Sequence, residues 1–223
     1  MRNQRGGVMK VRSQLLMVVC VVALASVGVA SPVSAQPGAA FIEGRGGLLI
    51  PLGNFANRDH IGGAYSIAAG YEFLPFFDWL VEYTHAFTDN DNFRARQNGL
   101  SFVSDETHQT FITSTGPRIN FMPSSSRVRP FMLFQVGWYH FAQSNEITVD
   151  GVKILDDNDR DAVGIQGGLG IDGTVLQIYE RHGDEIPMVE MTVGVHASFH
   201  RAFLSNSPDR DMITTMASLG VRF

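Results

Sequence analysis

Between residue 40 and residue 223 several segments alternate, with apolar side chains at every second position and small or polar ones between them. The clearest stretch is 76–88, where Phe77, Trp79, Val81, Tyr83, His85 and Phe87 share one parity and Asp78, Glu82 and Thr84 the other. On a helix these aromatics would scatter around the axis, whereas on a strand they gather on one face. The same period predicts eight strands, over 40–52, 63–74, 76–88, 107–121, 129–143, 162–175, 188–201 and 211–223. Tyr65, Ile67, Ala69, Tyr71 and Phe73 share a face in the second, Val163, Ile165, Leu169 and Ile171 in the sixth, and Met191, Val193, Val195, Ala197 and Phe199 in the seventh.

The opposite faces decide between a soluble sandwich and a membrane barrel. Gly62, Ala64, Ser66, Ala68, Gly70 and Glu72 lie opposite the apolar face of the second strand, and Gly164, Gln166, Gly168, Gly170 and Asp172 opposite that of the sixth. Such faces are too small and too polar for a soluble core. Turning the apolar face out to lipid and the small polar face into a narrow lumen accounts for both, and closure leaves no strand edge in lipid. The connections agree with an all-β, eight-stranded, up-and-down antiparallel transmembrane β-barrel. Leu74-Pro75-Phe76 and Pro123-Ser124-Ser125-Ser126 are tight, while 53–61, 89–106, 144–161 and 202–210 are long and polar and fall at the other end. Residues 176–187 break this rule as a long turn on the short-turn side, read either as strands extending into the periplasm or as a short helical turn.

The first 35 residues form a separate segment. Arg2, Arg5, Lys10 and Arg12 precede the apolar run LLMVVCVVALASVGVA, and Ser34-Ala35 supplies a small-residue cleavage site, so residues 1–35 read as a secretory signal peptide removed before Gln36, with 36–223 as one barrel domain. The sole cysteine, Cys20, lies in this leader, which leaves the exported chain without a disulfide or a Cys-ligated metal. Loss of four basic residues takes the formal charge from −5 to −9, which disfavours nucleic acid as a partner. No helix-length apolar run remains, so insertion has to use strands.

The tract 41–87, with GGLLIPLGNF, AAGYEF and then an acidic and aromatic strand, resembles the start of the small OmpA-like and OmpX-like outer-membrane barrels, and RPFMLFQVGWYHF at 129–141 is similar to their fifth strand. The end of the chain, with Leu219, Val221 and Phe223 at alternate positions, resembles the signal read by the outer-membrane insertion machinery. The resemblance implies a Gram-negative outer-membrane location, with membrane lipid, lipopolysaccharide and that machinery as partners, and a monomer. It implies little about activity.

By parity Glu43, Arg45, Glu72, Asp78, Glu82, Arg118, Gln135, Gln166, Asp172, His196, His200 and Arg222 point inward. Charges in a narrow, partly dehydrated lumen have to pair, because an isolated buried ion costs several kcal/mol. A salt-bridged polar plug fits an eight-stranded barrel, whose interior is just wide enough for side chains; the other reading is a gated or ion-selective path. His196 and Ser198, two apart on one face, with Asp209 or Asp211 are similar to the His, Ser and Glu of the outer-membrane lipid A deacylases. Here, however, Phe199 stands where that family has Asn, the acid is Asp, and the pair faces the lumen.

Asp156, Asp157, Asn158, Asp159 and Asp161 in the third long loop, and Asp89, Asn90, Asp91 and Asn92 in the second, are oxygen-rich, but the glycine and distal Glu of an EF-hand loop are missing, so they read as solvated loops. Residues 146–154 read as a small hairpin turning at Asp150-Gly151 and standing above the membrane. Phe76 and Trp79 near the turns, and Tyr83, Phe87, Trp138 and Tyr139 toward the loops, are placed for the two interfacial aromatic belts. The expectation is a barrel with no catalytic residues, cofactor or metal, whose role is structural or lies in surface interaction through its loops. A narrow diffusion channel for small or apolar solutes and a lipid A-modifying enzyme are the alternatives.

Overall fold

The computed structural model describes residues 38–53, 60–89, 93–97, 100–123, 125–149, 152–179, 187–205 and 208–223; the leader and its cleavage point before Gln36 lie outside them. Among the described residues nine strands follow in chain order: β1 Ala40–Leu52, β2 Gly62–Leu74, β3 Phe77–Asp89, β4 Phe93–Gln97, β5 Leu100–Asn120, β6 Val128–Val149, β7 Val152–Ile178, β8 Val189–Phe203 and β9 Arg210–Arg222. Every pairing is antiparallel, the order is β3-β2-β1-β9-β8-β7-β6-β5-β4, and a β3–β5 ladder closes the ring. The barrel therefore has eight staves, and β4 continues the line of β3 as a short partner to the far end of β5.

Following the register once around, from Ile42 through Ala69, Val81, Thr115, Val136, Ile165, Arg201 and Asp211, returns to β1 at Leu52, ten residues further along. That stagger tilts the strands by roughly 40° to the barrel axis and sets an interior that side chains can fill. Burial alternates along each stave. The lining is buried, while Ile42, Ile67, Trp79, Val136, Ile165, Leu169, Val195 and Leu219 are exposed on the outside. Backbone groups facing lipid have no water to bond to, and ring closure satisfies them between strands instead. Among the described residues, no helix is long and apolar enough to cross a membrane.

Two expectations about the loops are corrected. β5, β6 and β7 run 21, 22 and 27 residues, against 13 for β1, β2, β3 and β9, so much of 89–106 and 144–161 is strand. The acidic residues Asp156–Asp161 accordingly lie on β7, paired to 140–145 of β6, not in a loop. The physical reason is that the apolar alternation lapses over 105–107, 143–145 and 156–159, where polar residues pair with polar residues, while the backbone ladder runs on through them. The hairpin at 146–154 is the continuation of β6 and β7, with Val149 opposite Val152, and its Asp150-Gly151 turn lies outside the described residues. At the other end β7 reaches Ile178, whose carbonyl accepts from the Met188 N–H at 2.8 Å, after a bulge between Thr174 and Leu176. Within the described residues the long turn is thus strand extension, and 180–186 lie outside them.

Candidate functional site

The lumen brings the inward-facing charges together, and register explains how. Asp78 lies opposite Arg118, Arg129 opposite Asp172 and Glu190 opposite Arg222, three cross-strand pairs of opposite sign near the turn end. Small neighbours leave room for the long side chains, Glu43 standing between Ala68 and Gly220, and Arg45 between Ser66 and Ser218. A Cβ on Gly220 would sit 2.9 Å from Glu43 Cγ.

The result is a continuous chain of ion pairs. Arg45 reaches Glu82 Oε2 at 2.8 Å with Nη1 and Glu43 Oε2 at 2.6 Å with Nη2. Arg118 donates from Nη1 to Glu43 Oε1 at 2.9 Å, from Nε to Asn120 Oδ1 at 3.1 Å and from Nη2 to Asp172, and its Nε lies 3.5 Å from Asp78 Oδ2. Arg222 binds Glu72 and lies 3.8 Å from Asp78. The guanidinium of Arg118 sits 3.9 Å from the Phe131 ring centroid, and that of Arg222 lies 5.2 Å from Phe41, so aromatic faces close the spaces that carboxylates leave.

Of the remaining inward residues singled out from the sequence, Gln135 and Gln166 meet at Ser114, whose Oγ lies 3.2 and 3.4 Å from their Oε1 atoms. His200 contacts the Tyr139 hydroxyl at 3.2 Å through Nδ1 and Thr214 Oγ1 at 2.9 Å through Nε2. His196 packs near the Phe131 ring. All twelve are buried. Two further charged residues belong to the same lining. Arg129 lies 3.4 Å from Glu190, which also accepts from Gln177 Nε2 at 2.7 Å. The signal was present, since the parity that turns Gln135 inward also turns Arg129 inward.

Toward the loop end the lining changes character. Leu49, Ala64, Ala86, Ile112, Tyr139, Phe141, Ala162, Ala202, Met212 and Met216 form one buried apolar cluster, with Leu204 packed against it. Arg210 covers it, its guanidinium 4.4 Å from the Phe141 centroid. This overturns the expectation of a uniformly small and polar lumen. It also corrects the placing of Tyr139 in the outer belt, because successive residues of a strand face opposite ways. Trp138 is 41% exposed on the outside and Tyr139 0% exposed within. The other belt aromatics, Phe76, Trp79 and Phe87, are exposed, and Tyr83 is half-buried.

The hydrolase-like grouping is not assembled. His196 and Ser198 are both buried inside, Ser198 Oγ has no hydrogen-bond partner among the described residues, and Asp211 is held on the outer surface by Arg201 through two contacts of 2.7 Å. No group of three or more metal-ligating side chains occurs among the described residues. The terminal signal residues Leu219, Val221 and Phe223 face outward, and Phe223 exchanges two 2.9 Å backbone bonds with Ala40.

The chain is similar in structure to Neisserial surface protein A (15% identity, 84% of this chain and 98% of that one, TM-score 0.42). It is also similar to Ail, the attachment invasion locus protein of Yersinia pestis (16%, 83% and 97%, TM-score 0.42), and to the outer membrane protein OprG from Pseudomonas aeruginosa (14%, 85% and 98%, TM-score 0.46). No family model matches the chain, and no curated protein matches it. At identities this low nothing about activity passes from these proteins to this one.

Proposed function

We propose that the protein is a non-enzymatic outer-membrane barrel, exported by its cleaved leader and folded as a sealed scaffold whose loop end carries a surface-interaction role. One observation supports this above the rest: the apolar surface faces outward, while among the described residues the inside is lined by ion pairs toward the turns and by a buried apolar cluster toward the loops. A lumen lined in this way favours a closed scaffold over a diffusion path, and His196 and Ser198 are buried within it. Membrane lipid and lipopolysaccharide surround the staves, and the insertion machinery reads Leu219, Val221 and Phe223.

The test has two readings on one sample. Cell fractionation should place the chain, beginning at Gln36, in the outer membrane with a gel mobility that shifts on heating, and recovery as a soluble protein overturns the proposal. The purified barrel in planar bilayers should show no steady conductance; a stable open level selects the diffusion channel instead. Deleting Phe223 should lower the assembled fraction far more than deleting a loop residue does, and equal assembly of the two truncated chains removes the terminal signal from the account.

A further inference from the structure

The ion pairs of the lumen do not balance. Among the described residues six buried carboxylates share four buried guanidiniums. Arg45 reaches Glu82 at 2.8 Å, Arg129 lies 3.4 Å from Glu190, and Arg222 binds Glu72. That leaves Arg118 to answer Glu43, Asp78 and Asp172 together, and its short contacts go to Glu43 at 2.9 Å and to Asp172. Asp78 receives what remains: Arg118 Nε at 3.5 Å, Arg222 Nη2 at 3.8 Å, and the neutral amide of Asn120, which donates at 2.9 Å. All three of these contacts fall on Oδ2. Oδ1 is buried and accepts no hydrogen bond among the described residues, on a side chain that is 0% exposed. Register deepens the deficit, because Glu72 stands directly opposite Asp78 on the neighbouring strand and like charges so placed repel.

A carboxylate shut away from water and incompletely paired is costly, and a counter-charge brought in from solution removes the cost. The donors state which one. Carboxylate oxygens are hard ligands and suit hard cations rather than soft transition metals. Ca²⁺ takes about six to eight oxygens, and no group of three or more metal-ligating side chains stands together among the described residues. Mg²⁺ keeps several of its waters, for which a fully buried Asp78 makes poor provision. An alkali ion, singly charged and easily stripped of water, asks for the least.

We propose that Asp78 Oδ1, with Glu72 across the strand pair, binds a small alkali cation, Na⁺ or K⁺, which makes good the charge that the guanidiniums of the lower lumen leave uncovered. The ion enters from the turn end, since Glu72 lies two residues before the end of β2. The site belongs to the wall of the barrel and holds whether the barrel proves closed or conducting.

The experiment is reversible urea unfolding of the full barrel in one detergent, at fixed pH and fixed ionic strength, with Na⁺ or K⁺ exchanged stepwise for N-methylglucamine, an ion too large for the site. Constant ionic strength holds the screening of the other ion pairs the same throughout. The folded-to-unfolded ratio should rise with the alkali ion, approaching roughly a tenfold gain for each tenfold increase above the dissociation constant. Asp78→Asn keeps the shape and removes the charge, so it should abolish this dependence. Asp211→Asn, on the outer surface against Arg201, should leave it intact. A crystal of the unaltered barrel soaked in Rb⁺ should show an anomalous peak beside Asp78 Oδ1, which needs no variant to fold. A ratio indifferent to the exchange of cation overturns the inference, as does a dependence that survives Asp78→Asn or a soaked crystal without the peak. A ratio that follows pH but not the alkali ion overturns it in favour of a proton, and a response to Mg²⁺ or Ca²⁺ but not to Na⁺ or K⁺ overturns the choice of ion.

Discussion

The same eight staves line both halves of the lumen and fill them with opposite chemistry. Near the turns, Glu43, Asp78, Asp172, Arg118 and their neighbours fill the space with charge. Near the loops, Leu49, Ile112, Tyr139, Phe141 and Met212 fill it with hydrocarbon. The lower half depends on every charge having a partner at the right distance, so its packing is specific and brittle. The upper half depends on volume, so its packing is tolerant and its losses are graded. In the scaffold proposed above they would act together, an ion-pair layer fixing how the strands face one another and an apolar layer over it limiting the access of water to the pairs.

The comparison can be broken at either end. The largest effect is expected from Arg118→Ala, which takes the central cation from Glu43, Asp172 and Asp78 together. Among the described residues, six buried carboxylates already face four buried guanidiniums, so the loss cannot be absorbed by a spare cation in the lining. Breaking a buried pair from one side costs about 3 to 5 kcal/mol, less where water enters, and thermal unfolding in one detergent should show it. The outward control Val195→Ala should cost clearly less. An unchanged midpoint for Arg118→Ala accompanied by a new conductance would mean that the lower half is solvated.

A smaller loss is expected from Ile112→Ala in the upper half, about 2 to 4 kcal/mol for the cavity it leaves, with no change of charge balance. Stability of this variant should be nearly independent of salt, because no ion pair is touched; a strong salt dependence would show that the apolar layer is not shielding the charges below. The smallest effect belongs to Ser198→Ala. Its hydroxyl is buried with no partner among the described residues, so removing it should leave the unfolding midpoint within about 0.5 kcal/mol of the parent, or raise it. A drop comparable to that of Ile112→Ala would reveal a bond that Ser198 makes elsewhere.

What the sequence made legible follows the same division. Alternation along 76–88 or 162–175 is a local property, and it sorted Asp78, Glu82, Gln166 and Asp172 onto one face without any knowledge of their partners. Which Arg meets which carboxylate is a matter of register around the ring and was not legible: Arg118 joins β1, β3 and β7 through Glu43, Asp78 and Asp172. The apolar upper layer is not visible in the small faces of β2 and β7; its bulk comes from Ile112 on β5, Tyr139 and Phe141 on β6 and Met212 on β9. Strand ends are hidden for a different reason. Past the lipid, Thr107 or Asn145 can sit on a strand with no apolar partner face, so the periodic signal stops before the pairing does.

The seam of the ring lies between β1 and β9, where Phe41 faces Arg222 and Ala40 and Phe223 exchange backbone bonds. The first stave can close only against the last, across nearly the whole described length of the chain. Closure therefore has the highest sequence separation of any contact in the fold and belongs among the slow steps of assembly. A chain emerging N-terminus first can form the hairpins of its middle in order, but it cannot become a barrel until its final residues have arrived. An unfinished copy keeps two raw edges, each a row of unpaired N–H and C=O groups.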